Sequence, residues 1–260
     1  MKTIYLDCSM GAAGDMLMGA LYELLPDQPS FTARMASLGL PGVVFRAEPS
    51  IKCGVTGTHM QVLVHGESED GTHCHTHDEI ASHAEHPHHH HTGLSEIAEL
   101  ISRLELPQSV REDALAVYRS IADAESRVHG VPVTDIHFHE VGTLDALADV
   151  VGVCLLFSML QPEQILCSPV CVGSGQVACA HGVLPVPAPA TALLLTGIPI
   201  YAGSIRGELC TPTGAALLRH FVTSFCPMPI FIPEAVGYGM GTRDFPAANC
   251  VRAMLGRVTA

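Results

Sequence analysis

The sequence predicts an α/β fold, with α+β as the variant left open: a mixed sheet with flanking helices and a long His-rich loop. Three observations carry that expectation. A short apolar run at residues 3–6 passes directly into a stretch with helical periodicity. Further along, brief strand-like segments alternate with helix-like ones. The chain of 260 residues, 48% apolar and 15% charged, is long enough to bury a sizeable core.

Taken in order, residues 3–6 read as a buried strand. Residues 11–25 read as a helix with Met16, Leu17, Leu21 and Leu24 on one side. A second short helix at 31–38 is stopped by Gly39 and Pro41. Residues 43–45 and 60–64 read as strands, with Gly54 and Gly57 marking the turn between them. Residues 66–93 are polar, without apolar period, and long for an ordered connection. Helices follow at 94–104 and 109–129, separated by Pro107; the second carries Leu115, Tyr118, Ile121 and Ala122 at helical spacing. Residues 144–160 form a strongly apolar helix. Beyond it glycine and proline become dense, and strands at 164–172, 199–202 and 229–235 alternate with helices at 190–195 and 214–225. No internal repeat is visible. The expected organisation is one α/β body from residues 1–65 and 93–260, with 66–92 as a flexible metal-binding loop.

Charge and cysteine usage narrow the function classes. Net charge is −13 and no Lys/Arg cluster occurs, so a nucleic-acid or anionic-membrane partner is not expected. No signal peptide is recognisable at the start, so the ten cysteines are expected to be reduced thiols in the cytoplasm. No C-x-x-C pair occurs, which argues against a zinc ribbon or a thioredoxin-type motif. The longest apolar run is too short to span a bilayer. Self-association stays open.

Nine of the sixteen histidines fall between His73 and His91, including His73, His75, His77, His88, His89, His90 and His91. Imidazole suits late first-row metal ions rather than Mg or Ca. A flexible segment cannot hold one geometry, so this tract is expected to deliver or buffer metal rather than catalyse. His137 and His139 alternate on an extended segment and point the same way. Glu140 leads to a helix start at Gly142-Thr143, with Thr143 as an N-cap candidate, and Asp145 and Asp149 share one face of the apolar helix. Carboxylates in an apolar helix are costly unless paired or metal-bound, so this cluster reads as a metal or acid/base site; a hydrogen-bonded structural network is the alternative.

Three glycine-rich junctions complete the set. Asp7 and Asp15 flank Gly11 and Gly14 where the first strand meets the first helix, a geometry that seats anions or simply caps a turn. The lysine and Ser/Thr of a P-loop are absent. Gly173, Gly175 and His181 belong to a glycine-lined loop system. Glu208 precedes Thr211, Pro212 and Thr213, with Thr211 a natural cap and Pro212 at the first helical position. Arg243 and Asp244 follow Gly237, Gly239 and Gly241.

These motifs resemble the LarC family: residues 7–15, residues 137–142 with Asp145 and Asp149, and residues 181–189, 208–214 and 237–244, in order and nearly end to end. The resemblance implies insertion of Ni(II) into a pyridinium mononucleotide carrying two thiocarboxylates, forming two Ni–S bonds and one Ni–C bond. It further implies coupling to CTP hydrolysis with Mn(II) or Mg(II), and lactate racemase as recipient of the product. Asp7, Asp15, Glu140, Asp145, Asp149, His181 and Glu208 are then the candidate catalytic residues. Gly11, Gly14, Gly173, Gly175, Thr211, Thr213 and Arg243 would bind the ligand. The histidines of the tract, with His137 and His139, would bind nickel. Family members carry a further C-terminal, CTP-binding domain, so these residues are expected to be the N-terminal portion. Two other readings stand beside this one: a nickel metallochaperone or store without chemistry of its own, and a zinc or manganese hydrolase built on the His/Asp cluster.

Overall fold

The computed structural model describes residues 1–68, 92–138, 141–179 and 181–259. In chain order these form β1 (Thr3–Asp7), α1 (Gly14–Tyr22), α2 (Gln28–Ser37), β2 (Val43–Lys52), β3 (Val55–Val64), β4 (Glu67–Ser68), β5 (Thr92–Gly93), α3 (Leu94–Arg103), α4 (Gln108–His129), β6 (His137–Phe138) and α5 (Leu144–Leu160). There follow β7 (Gln164–Cys167), β8 (Val170–Cys171), β9 (Gly173–Ser174), β10 (Gln176–Cys179), β11 (Gly182–Pro185), α6 (Pro189–Leu194), β12 (Ile200–Tyr201), β13 (Gly207–Glu208), α7 (Pro212–Phe221), β14 (Ser224–Phe225), β15 (Phe231–Met240) and β16 (Cys250–Val258).

The fold is α/β around a mixed sheet of order β14-β7-β1-β16-β15-β3-β2, with β4 added to β3. Strand β1 runs parallel to β7 and antiparallel to β16. Strand β15 is antiparallel to β16 and meets β3 in parallel. Strands β1 and β15 therefore end on the same edge of the sheet, and the segments that follow them share that edge.

Alternation along β1 explains the layering. Ile4 and Leu6 face the helices and belong to the large core cluster, whereas Tyr5 faces the other way and packs with Leu166 and Met254. Helix α1 lies directly on β15, β16 and β3; α5 packs behind it, and α4 behind α5. The approach of α1 is backbone against backbone: a β-carbon on Gly239 would stand 1.7 Å from the Met16 carbonyl oxygen. Glu23, at the end of α1, accepts from Thr58 Oγ1 at 2.7 Å and from Tyr238 N at 2.8 Å, which ties the helix to β3 and β15. Among the described residues no helix is long and apolar enough to cross a membrane.

Several element boundaries differ from the sequence reading. Helix α1 starts at Gly14 rather than Gly11, because the backbone of Ala12 is hydrogen-bonded to the loop before α7 instead of to its own helix. The strands expected at 43–45 and 60–64 belong to a hairpin of two ten-residue strands turning at Cys53-Gly54, both with positive φ, while Gly57 lies inside β3. The strand expected at 164–172 is broken after Cys167 by Ser168-Pro169, since proline cannot donate to a ladder. Helix α7 ends at Phe221, before the edge strand β14. Strand β16 and the β10–β11 hairpin were not expected at all.

Candidate functional site

The segment after β1 is spliced to the segment before α7. Gly11 has φ +91°, and a β-carbon there would collide with the Leu209 carbonyl oxygen at 1.9 Å. Ala12 N donates to Leu209 O at 3.0 Å, and Thr211 N donates to Ala12 O at 3.0 Å. This places the N-termini of α1 and α7 side by side. Helix α5 joins them because Gly14 leaves room for the Asp149 side chain: a β-carbon at position 14 would lie 2.5 Å from Asp149 Oδ2.

A cleft of about 330 Å³ opens where these three helix starts meet, lined by Gly14, Asp15, Thr143, Asp145, Asp149, Glu208, Thr211, Thr213 and Arg243 among others. Both threonines expected as caps are caps: Thr143 Oγ1 accepts from Ala146 N at 3.3 Å, and Thr211 Oγ1 accepts from Gly214 N at 3.1 Å. Unpaired N–H groups and the macrodipole make each helix start favourable to an anion. Against that stand four carboxylates with one guanidinium. By side-chain charge the cleft is therefore negative, and a cationic guest gains more from it than a free anion. The carboxylates act beyond the cleft: the Tyr118 hydroxyl is pushed far above its ordinary value, first by burial and then by the charges of Asp149 and Asp145. Its hydroxyl donates to Val141 O at 3.2 Å and so fixes part of the cleft wall.

The loop carrying Arg243 is held from three sides. Asn249, 6% exposed, donates from Nδ2 to Arg243 O at 2.9 Å. Lys52 Nζ meets Asp244 Oδ1 at 2.6 Å and Thr242 O at 3.1 Å. Gly241 N donates to Asn249 O at 2.9 Å. Arg243 also lines a second cleft of about 390 Å³, which shares Val141, Glu208 and Pro212 with the first. This second cleft has imidazole character, with His129, His137 and His181 together with Glu125 and Cys179. The rings of His129 and His181 lie 4.8 Å apart, and Glu125 Oε2 stands 3.4 Å from His129 Nε2.

The structure thus brings together Gly14, Asp15, Asp145, Asp149, Glu208, Thr211, Thr213 and Arg243 in one cleft, and His137 and His181 in the adjoining one. It places Asp7 elsewhere: Asp7 Oδ2 pairs with Arg252 at 2.5 Å and its Oδ1 accepts from Ser9 N, so β16 takes up its charge. Gly11 is buried in the splice. Gly173 packs against the Gly207 carbonyl, and Gly175 O accepts from Val186 N at 3.0 Å; none of the three lines either of these two clefts. His73, His75, His77, His88, His89, His90, His91, His139 and Glu140 lie outside the described residues. Among the described residues no three His, Cys, Asp or Glu side chains are grouped to hold a metal ion.

Sequence reasoning missed His129, Glu125, Cys179 and Asn249. Glu125 and His129 had a signal, an acid and an imidazole four residues apart on a helix expected to end there. Asn249 had none, because its role comes from burial beside a loop distant from every motif.

Residues 4–260 match the family described as "Nickel insertion protein". A relative from Geobacillus kaustophilus (strain HTA426), named "Pyridinium-3,5-bisthiocarboxylic acid mononucleotide nickel insertion protein", is 37% identical over 100% of this chain and 61% of its own length. Proteins of the same name from Desulfitobacterium hafniense (strain DSM 10664 / DCB-2) and Thermotoga sp. (strain RQ2) are 40% and 41% identical; each match covers 99% of this chain, with 59% and 62% of those proteins. The chain spans about three fifths of the length of these relatives. No solved structure matches it. The chain belongs to the nickel insertion protein family.

Proposed function

We propose that this chain supplies the cleft in which Ni(II) is inserted into pyridinium-3,5-bisthiocarboxylic acid mononucleotide. The observation that supports this is the continuity of the two clefts: one side offers helix starts and carboxylates, the other imidazoles, and Glu208 and Arg243 belong to both. Such a substrate has a cationic ring, an anionic phosphate and two sulfur donors. The carboxylates suit the pyridinium ring; the helix starts of α1, α5 and α7, with Arg243, suit the phosphate. Sulfur and imidazole both suit nickel.

Forming a Ni–C bond at a ring carbon displaces that carbon's hydrogen as a proton, with the C–H electron pair passing to Ni(II). No oxidant is needed, but a base is. Glu208 sits where ring and metal would meet and is the proposed proton acceptor, with Asp145 and Asp149 holding the ring from the first cleft. Asp15 contributes to the same negative field. His139 and Glu140 remain part of the proposed site by sequence position alone, as does the histidine tract as nickel supplier.

The dependence on CTP with Mn(II) or Mg(II), the assignment to the lyase class, the cytoplasmic setting, lactate racemase as recipient and self-association belong to the whole-length protein in this proposal. The described residues do not fit a resident metal ion, because no three candidate ligands converge, and no step is routed through one. The division into one body (1–65 and 93–260) and one loop (66–92) is likewise proposed.

The test is calorimetric binding of the precursor mononucleotide to the chain, then to Arg243→Ala and Asp149→Asn. Loss of at least tenfold in affinity in each is expected. Unchanged affinity in both would refute the cleft as its seat. Carrier function without chemistry would appear as nickel binding abolished by removing residues 71–91, with no precursor binding at all.

A further inference from the structure

We infer that His129 and His181 form a two-imidazole holding site for Ni(II), in the second cleft beside the carbonyl end of α4. The inference rests on the reading of the clefts as a nickel-insertion site, and it names where the metal waits.

The first support is ring geometry. With metal–nitrogen bonds of about 2.1 Å, two imidazoles on neighbouring positions of one ion have ring centres roughly 4.5 Å apart. The observed separation is 4.8 Å, with 38° between the planes. The second support is the carboxylate beside His129. Glu125 Oε2 stands 3.4 Å from Nε2, one helical turn back on α4. A carboxylate facing one ring nitrogen orients the ring and raises the basicity of the other nitrogen, the usual arrangement behind a metal-bound histidine.

Third is the field of the fold. His129 is the last residue of α4, whose helix is closed by Gly130 at φ +66°. The carbonyl end of a 22-residue helix favours positive charge, whereas the first cleft collects three helix N-termini. The carbonyl end of α4 therefore adds to the attraction of a cation at His129.

Two protein donors also suit a cargo ion better than a closed cage would. The remaining coordination positions stay available to the two sulfurs and the ring carbon of the acceptor, so the ion can change partners without first being released to water. His137 and Cys179 line the same cleft, although the Cys179 thiol is directed to Gly182 O at 3.5 Å. The ordinary alternative is a chance contact between two exposed rings, and a metal titration separates the two.

The experiment uses the full chain with His73, His75, His77, His83, His86 and His88 to His91 replaced by serine, so that the tract does not mask a weaker site. Ni(II) alone is titrated by equilibrium dialysis into this protein and into versions that also carry His129→Ala, His181→Ala or His220→Ala. His220, paired with Asp113 at 2.8 Å and outside both clefts, is the control. One equivalent of nickel is expected, weakened at least tenfold by His129→Ala and by His181→Ala but not by His220→Ala. Paramagnetic broadening of the His129 and His181 ring protons should accompany it and reports the site without relying on the variants' stability. Absence of that equivalent, its survival in both variants, or an equal loss in the control would each overturn the inference. Precursor binding to the first cleft is measured separately, so either idea can fail while the other stands.

Discussion

The substitution Gly14→Ala addresses the junction on which the first cleft depends. A methyl at position 14 would lie 2.5 Å from Asp149 Oδ2, 2.7 Å from its Cβ and 2.9 Å from its Cγ. Ordinary contact begins at 3.4 Å, so the carboxylate oxygen must withdraw by about 0.9 Å. Its own Cβ is also too near, and that atom cannot move without a shift of α5, which is buried along most of its length. Overpacking of this kind costs roughly 1–3 kcal/mol. Alanine's helix preference returns up to about 1 kcal/mol, and less at a first-turn position. The net expectation is a loss of about 1–2 kcal/mol, which for a chain of this size lowers Tm by roughly 2–8 °C. The ligand consequence is larger in proportion. Moving a positioned group by about 1 Å can cost on the order of a hundredfold in rate. Differential scanning calorimetry gives the first number, and nickel-insertion kinetics in the whole-length protein the second. A variant as stable and as active as the parent would show that α1 and α5 are not locked through this contact, and the account of the cleft would be wrong.

Three further outcomes follow from local geometry. Glu23→Ala removes the acceptor shared by Thr58 and Tyr238 and should cost about 2–3 kcal/mol, read from urea unfolding at unchanged m-value; a loss under about 0.5 kcal/mol would mean that the tie between α1 and the sheet is incidental. Thr211→Ala leaves the Gly214 N–H at the start of α7 without its acceptor and should cost about 1 kcal/mol, while Thr211→Ser should restore most of it. Stability should fall in alkaline solution. The Cys8 thiol is raised above its ordinary 9.0 by its hydrogen bond with Cys167 and then by burial; the Cys154 and Cys210 thiols are raised chiefly by burial, as is Tyr5, pushed up to about 12. Each folded-state value lies above its unfolded one, so the stabilisation is complete below pH 9 and is lost as pH climbs toward the folded values. A Tm that stays level from pH 8 to 11 would contradict this.

Local chemistry made much of the fold legible. Helix α5 has the bounds its sequence announces, because Thr143 caps a seventeen-residue apolar run. Helix α4 ends where Gly130 follows His129. The missed strand β16 alternates weakly: Arg252 and Met254 share a face, and Gly256 interrupts it, yet it lies in the middle of the sheet between β1 and β15. Its place is decided by partners far away in sequence, which no local pattern encodes. The β10–β11 hairpin is hidden for a different reason, since the surrounding glycines and prolines read as loop. The site divides in the same way. Asp145 and Asp149 were legible as a helical pair, and Glu208 and Arg243 as members of loop motifs. That Asp7 would be taken up by Arg252 was not legible, because Arg252 lies on the unexpected strand.

The same strand order explains why three helix starts and the Arg243 loop meet at one cleft. Strands β1 and β15 finish on one edge, so α1 begins and the Arg243 loop turns at the same place. Helix α7 is drawn there by the Ala12–Leu209–Thr211 splice, and α5 by the gap at Gly14. Helix α4 runs in the layer behind α5 and presents its other terminus, with Glu125 and His129, to the adjoining cleft. At the join of the two clefts Glu208 and Arg243 carry opposite charges. In the proposed reading a guest with an anionic tail and a metal-seeking head lies with its tail toward the helix starts and Arg243 and its head toward His129 and His181. Charge reversal at the join, Glu208→Arg with Arg243→Glu, should weaken such a guest while leaving its direction unchanged. A precursor found bound with its phosphate beside His129 would break the argument at its root.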